Sequence, residues 1–121
     1  MSWWPRIVWS AWRLPPRITN HDAKLWRRSW KWRPSSFAAG VYVKDIAVTD
    51  GWEMQVVRFE PGERFPLQTH ERPEFVFILE GELVQAGRRL GPGWASVASA
   101  GSVDQDVHSD VGCVFVLVDR A

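Results

Sequence analysis

Residues 62–81 read Gly62-Glu-Arg-Phe-Pro-Leu-Gln68-Thr-His70-Glu-Arg-Pro-Glu74-Phe-Val-Phe-Ile-Leu-Glu-Gly81. Gln68 and His70 stand two apart, Glu74 follows four residues later, and an apolar run then closes on a glycine. Side chains two apart on a strand project to one face. Gln68 and His70 can therefore converge on one point, and a turn at Arg72-Pro73 can return Glu74 to it. A neutral imidazole beside oxygen donors suits iron, manganese, nickel or zinc. A structural reading competes with this one: His70 as a hydrogen-bonded polar residue at a strand end, and Glu74 as a solvated strand starter.

Outward from this stretch the pattern has period two. Strands are predicted at about 41–48, 52–60, 74–80, 82–86, 93–98 and 111–118. Turn signals separate them at Asp50-Gly51, Pro61-Gly62, Glu80-Gly81, Ala86-Gly87 and Gly91-Pro92-Gly93. Short strands at near-regular spacing, without a helical stretch among them, indicate an antiparallel sandwich or barrel. Trp52, Met54 and Val56 form one stripe, and Phe75, Phe77 and Leu79 another; both are expected in the core.

The 121 residues are enough for one domain with one modest core. The composition, 45% hydrophobic and 24% charged, is that of a globular chain, apart from nine tryptophans. The single cysteine, Cys113, excludes an internal disulfide, and its apolar run Gly112-Cys-Val-Phe-Val-Leu-Val118 marks it as a packing residue. No run reaches the length of about 18 apolar residues that a membrane helix needs, and the N-terminus lacks the apolar core of a secretory signal. A cytoplasmic location is the expectation.

Charge divides the chain. Residues 1–36 hold eight basic side chains and one acidic, a net +7, while the remainder holds seven basic and thirteen acidic, a net −6. Residues 1–36 read as a basic, tryptophan-rich arm ahead of a domain at 37–121. Pro5 and Pro15-Pro16 rule out one continuous helix. Asn20 is placed to cap a short helix from His21 to about Trp32, with Leu25, Trp26 and Trp30 on one face. Three roles fit such an arm: packing over the domain or a second subunit, binding an anionic membrane, or stacking on single-stranded nucleic acid. A start codon downstream of the arm is a further reading.

The 62–81 stretch resembles the first cupin motif, in which Gly, five residues, His-x-His, three or four residues, Glu, six residues and Gly follow in order. Gly62, His70, Glu74 and Gly81 stand in register, and Gln68 replaces the first histidine. The second cupin motif is similar to Gly93 through His108: Gly93 and Gly101 match, Ser99 stands for proline, Asp104 for histidine and His108 for asparagine. Arg58-Phe-Glu-Pro-Gly62, Leu79-Glu-Gly-Glu-Leu83 and Gly112-Cys113 look most like the cupin domain of ChrR-type anti-sigma factors and its single-domain relatives.

The resemblance implies a small all-β jelly-roll barrel, of the RmlC-like kind, and a metal set of Gln68, His70, Glu74 and Asp104. One nitrogen and three oxygens, two of them anionic, favour manganese or magnesium over zinc or ferrous iron among the candidates Mn, Fe, Ni, Zn and Mg; a metal-free barrel is the other outcome. The two-His-one-carboxylate face used for oxygen activation is missing unless His108 joins.

Asp104 is itself open to two placements. Strict alternation puts Asp104, Asp106 and His108 in water, whereas the motif turns Asp104 inward, with Gly101 giving the backbone that freedom. Buried together without a metal, Glu74 and Asp104 would repel and raise one pKa. The expected function is a small-ligand-binding or sensing module with a degenerate metal site. The alternative is a metal-dependent cupin enzyme, an oxygenase or isomerase acting on a small organic molecule. A homodimer is expected from the resemblance, since apolar edge strands would otherwise lie exposed.

Overall fold

A computed structural model describes residues 31–36, 38–66, 68–104 and 106–120. The expected helix, and with it most of the basic arm, lies outside the described residues apart from Lys31 and Trp32. Ten strands follow in order: β1 (Arg33–Pro34), β2 (Val41–Thr49), β3 (Trp52–Phe59), β4 (Gln68–Thr69), β5 (Glu74–Gly81), β6 (Leu83–Gln85), β7 (Arg88–Leu90), β8 (Ala95–Ala98), β9 (Val103–Asp104) and β10 (Cys113–Arg120). No helix occurs among the described residues, so none is long and apolar enough to cross a membrane.

The six strands read from periodicity are β2, β3, β5, β6, β8 and β10. The four others are two or three residues long, too short to carry a period of their own. The hairpin β2–β3 closes on Asp50 and Gly51 with φ of 51° and 78°, which pairs Thr49 with Trp52. Positive φ at both central residues matches the turn to the twist of the strands, and an Asp-Gly pair tolerates it best.

One antiparallel sheet runs in the order β1-β2-β3-β10-β5-β8. The opposite layer is assembled from short pieces, the pairs β4–β9 and β6–β7. Backbone bridges from His108 to Arg64 and to Val84 join those pieces. Leu83 and Val107 of the short layer pack against Val41, Val57, Phe59, Ile78 and Phe115 of the large sheet. Phe59 lies edge-on to Phe65 at 5.0 Å and tilted against Phe115 at 5.6 Å. Cys113 is buried in this core, as its apolar run predicts, and burial pushes its thiol pKa up.

The two stripes expected in the core lie on the other side. Met54, Phe75, Phe77 and Leu79 are each more than 40% exposed, whereas Val57, Phe59, Val76 and Ile78 are buried. Both faces of these strands are apolar, so alternation fixed which residues travel together but not which set turns inward. The inward set is the one that carries the polar residues Asp45, Glu53, Gln55, Glu74 and Asp119 at its far end.

Candidate metal and ligand site

Between the layers lies a cavity of about 760 Å³. Val57, Val76, Leu83 and Phe115 make its apolar part, and Gln68, His70, Glu74, Gln85 and Asp104 line it from both layers. Asp45, Glu53, Gln55 and Asp119 line its other end, so apolar and polar groups share a cavity of the size that small-molecule sites have.

The polar wall is held by backbone. Gln68 of β4 pairs in register with Asp104 of β9. The N–H of His70 donates to the carbonyl of Ser102 at 2.9 Å, and the carbonyl of His70 accepts from Gly101 N at 2.6 Å. Gly101 adopts φ +84°, and Asp106, two residues past Asp104, adopts +56°. These two positions break the alternation that would have sent Asp104 into water. Asp104 instead points inward, 14% exposed, and accepts a 2.6 Å hydrogen bond at Oδ2 from Nε2 of His70.

Glu74 starts β5 and brings Oε2 to 3.6 Å from Nδ1 of His70. Donor atoms of His70, Glu74 and Asp104 thus lie within 4.8 Å of one another. His70 is 8% exposed and Glu74 21%. Burial raises the Glu74 pKa; the nearby imidazole opposes the shift, and repulsion from Asp104 adds to it. The rise anticipated for a buried carboxylate pair is present, with desolvation rather than mutual repulsion as its larger cause.

Of the four residues singled out as ligands, the structure brings His70, Glu74 and Asp104 to one point, and Gln68 lines the same cavity opposite Asp104. His108 does not join them. Its ring faces Asp106 and Asp110, each at 3.4 Å, on the side away from the cavity lining. The three convergent residues fit a hard divalent cation: two carboxylates match its charge and one imidazole adds nitrogen.

Other polar residues were not anticipated. Gln85 Nε2 donates to Asp104 Oδ1 at 3.2 Å, and Ser96 Oγ donates to Gln85 Oε1 at 2.6 Å, which orients the carboxylate from behind. At the far end of the large sheet, Glu53 and Asp119 are register partners on β3 and β10. Desolvation, then Glu53 and Glu74, push the Asp119 pKa up to about 7. Arg33 closes the same end with a bidentate pair to Asp45 at 2.7 and 2.9 Å. Period two in β3 and β10 puts these acids on the face of Val57 and Phe115, a signal legible once that face is known to be inward.

No protein-family model matches this sequence, and no curated protein does. Solved structures do. An RmlC-like cupin from Shewanella frigidimarina superposes with a TM-score of 0.64 at 14% identity, over 78% of this chain and 92% of that one. An acetylacetone dioxygenase from Acinetobacter johnsonii gives 0.67 at 14% identity, over 74% of this chain and 67% of that one. A chain from the complex of Rhodobacter sphaeroides SigE with the anti-sigma ChrR gives 0.64 at 17% identity, over 74% of this chain and 48% of that one. The present chain therefore spans about half of that last relative.

Proposed function

The fold is the cupin jelly roll, and we propose that its cavity binds one small organic ligand beside a divalent cation held by His70, Glu74 and Asp104, with Gln68 as a weaker fourth donor. The protein would act as a binding or sensing module. The observation that carries this reading is the convergence of three donors, from β5, β9 and the loop after β4, on the wall of a cavity whose floor is apolar at Val57, Val76, Leu83 and Phe115. A hard cation there would supply positive charge to a ligand oxygen. The protein's own residues do the rest: Gln85 and Ser96 orient Asp104, and the apolar floor selects a ligand with a hydrocarbon body.

The test is metal content and binding. Protein prepared without chelators or an immobilised-metal tag, then titrated with Mn(II) under electron paramagnetic resonance, should take up one ion per chain. His70→Ala and Asp104→Ala should each weaken uptake by ten-fold or more, on the order of 1.4 kcal/mol. Failure to load Mn, Mg, Fe, Ni or Zn under any condition defeats the metal part of the proposal.

A second reading, a metal-dependent enzyme of oxygenase or isomerase type, is favoured by one feature. Asp119, titrating near neutrality, lines the same cavity as the donor set and lies close enough to Glu74 to feel its charge. A group that exchanges a proton at working pH is what acid–base chemistry needs. Iron, nickel or zinc retained through purification at one per chain and lost in His70→Ala would favour this reading over simple binding.

A further inference from the structure

The outer face of the large sheet is apolar across four adjacent strands. Met54 of β3, Phe75, Phe77 and Leu79 of β5, and Val97 of β8 are 42–62% exposed. Register places Val116 between Val56 and Phe77, and Val118 between Met54 and Phe75, so the exposed groups join into one continuous surface. Isolated exposed apolar residues need no explanation, but a contiguous patch of this kind marks an interaction surface.

We propose that residues 1–30 of the same chain cover this face. Three observations single out that occupant. The first is where the chain emerges. Trp32 lies against the outer face already, its ring 4.6 Å from Lys44 Nζ and 4.7 Å from the Arg58 guanidinium, and Arg58 in turn stacks over Tyr42 at 4.8 Å. Lys44 is the register partner of Val56, at the margin of the patch. The chain before Trp32 thus starts on the correct side of the sheet.

The second observation is reach and content. From β2 to β8 is four strand spacings, about 19 Å, while thirty residues span up to about 100 Å extended. Those residues supply Trp3, Trp4, Trp9, Trp12, Trp26 and Trp30, with Ile7, Val8, Leu14, Ile18 and Leu25 among them. Large aromatic side chains gain most from burial against such a surface. The third is charge. Residues 1–30 carry six basic groups and one acidic, a net +5, and residues 31–121 carry nine basic and thirteen acidic, a net −4. Attraction between the net-positive segment and the net-negative remainder favours the segment as the cover.

The test uses the full chain. Hydroxyl-radical footprinting read by mass spectrometry should find Phe75 and Phe77 oxidised as slowly as the core ring Phe115, at a rate independent of protein concentration. In the Trp26→Ser/Trp30→Ser chain both should oxidise several-fold faster while Phe115 stays protected. Fast oxidation in the native chain overturns the proposal. So does protection that vanishes on dilution, together with a sedimentation shift from dimer to monomer, and that ignores the tryptophan substitutions; a second copy is then the cover. Independently, a photoreactive benzoylphenylalanine replacing Val97 should cross-link within its own chain to residues 1–30. Cross-links to another chain, or none to residues 1–30, overturn the proposal equally.

Discussion

The two faces of the large sheet are built from the same six strands and differ in one respect. The inner face runs from Val41, Phe59, Ile78 and Cys113, which are almost fully buried, to Asp45, Glu53, Glu74 and Asp119 at its other end. The outer face has an apolar middle across β3, β10 and β5, made by Met54, Val56, Val116, Phe75 and Phe77, and turns basic at Arg58 beside Lys44. Hydrophobicity alone therefore does not separate core from surface in this chain. What separates them is that the inner face ends in buried acids that wall a cavity, while the outer face keeps an exposed apolar middle with basic groups at its margin, which makes a surface for covering.

The comparison is sharpest at Phe59 and Phe77. Phe59→Ala removes a ring that is 1% exposed and packed against two other rings, and should cost about 3–5 kcal/mol in denaturant unfolding. Gly81→Ala should cost about 2–4 kcal/mol. Its φ of +72° disfavours any Cβ, and that atom would sit 2.0 Å from the carbonyl oxygen of Gly112, a backbone atom with little freedom to yield. Gly62, the matching glycine at the other end of the motif, has φ +85° and nothing within 4 Å. Gly62→Ala should cost only the backbone strain, about 1–2 kcal/mol. Equal losses at the two glycines would mean that Gly81 is not pressed against β10. Phe77→Ala, on the outer face, should fall between about 1 and 2 kcal/mol; a loss matching that of Phe59 would erase the distinction between the faces.

Much of this was legible in sequence because it rests on short-range periodicity. Six of the strands and the turns at Asp50-Gly51 and Ala86-Gly87 follow from alternation and turn chemistry, and the cupin fold from the resemblance to the two motifs. The inward direction of a strand does not, since Trp52-Met54-Val56 and Gln55-Val57-Phe59 both carry large apolar groups and alternation alone does not choose between them. The strands β1, β4, β7 and β9 escaped because two or three residues carry no period. At the site, His70 and Glu74 come from one continuous stretch, so their proximity is local. Asp104 depends on Gly101 and on the positive φ of Asp106, and either placement suited the residues themselves. Gln85, Glu53 and Asp119 lie on three strands far apart in sequence and meet at one cavity only in the folded chain, with Ser96 reaching it through Gln85.

An effect of similar size but opposite sign tests the polar end of the inner face, where the two faces differ most in chemistry. Asp119 pairs across β10 and β3 with Glu53, and its Oδ1 is buried without a hydrogen-bond partner among the described residues. Its pKa rises from an ordinary 3.8 to about 7 because burial, then the neighbouring carboxylates, penalise its ionised form. The folded protein therefore holds a proton that the unfolded chain has released, and linkage fixes the sign: stability from this residue is full below about pH 4 and is lost as pH rises through 7. Asp119→Asn, neutral at every pH, should be more stable than the native chain by about 1–2 kcal/mol at pH 8, a figure discounted for partial exposure. The gain should shrink through pH 7 and vanish near pH 4 in urea titrations at fixed temperature. A gain that does not change with pH would assign the effect to shape, and the inner face would then end in an ordinary solvated acid, no different in kind from the rim of the outer one.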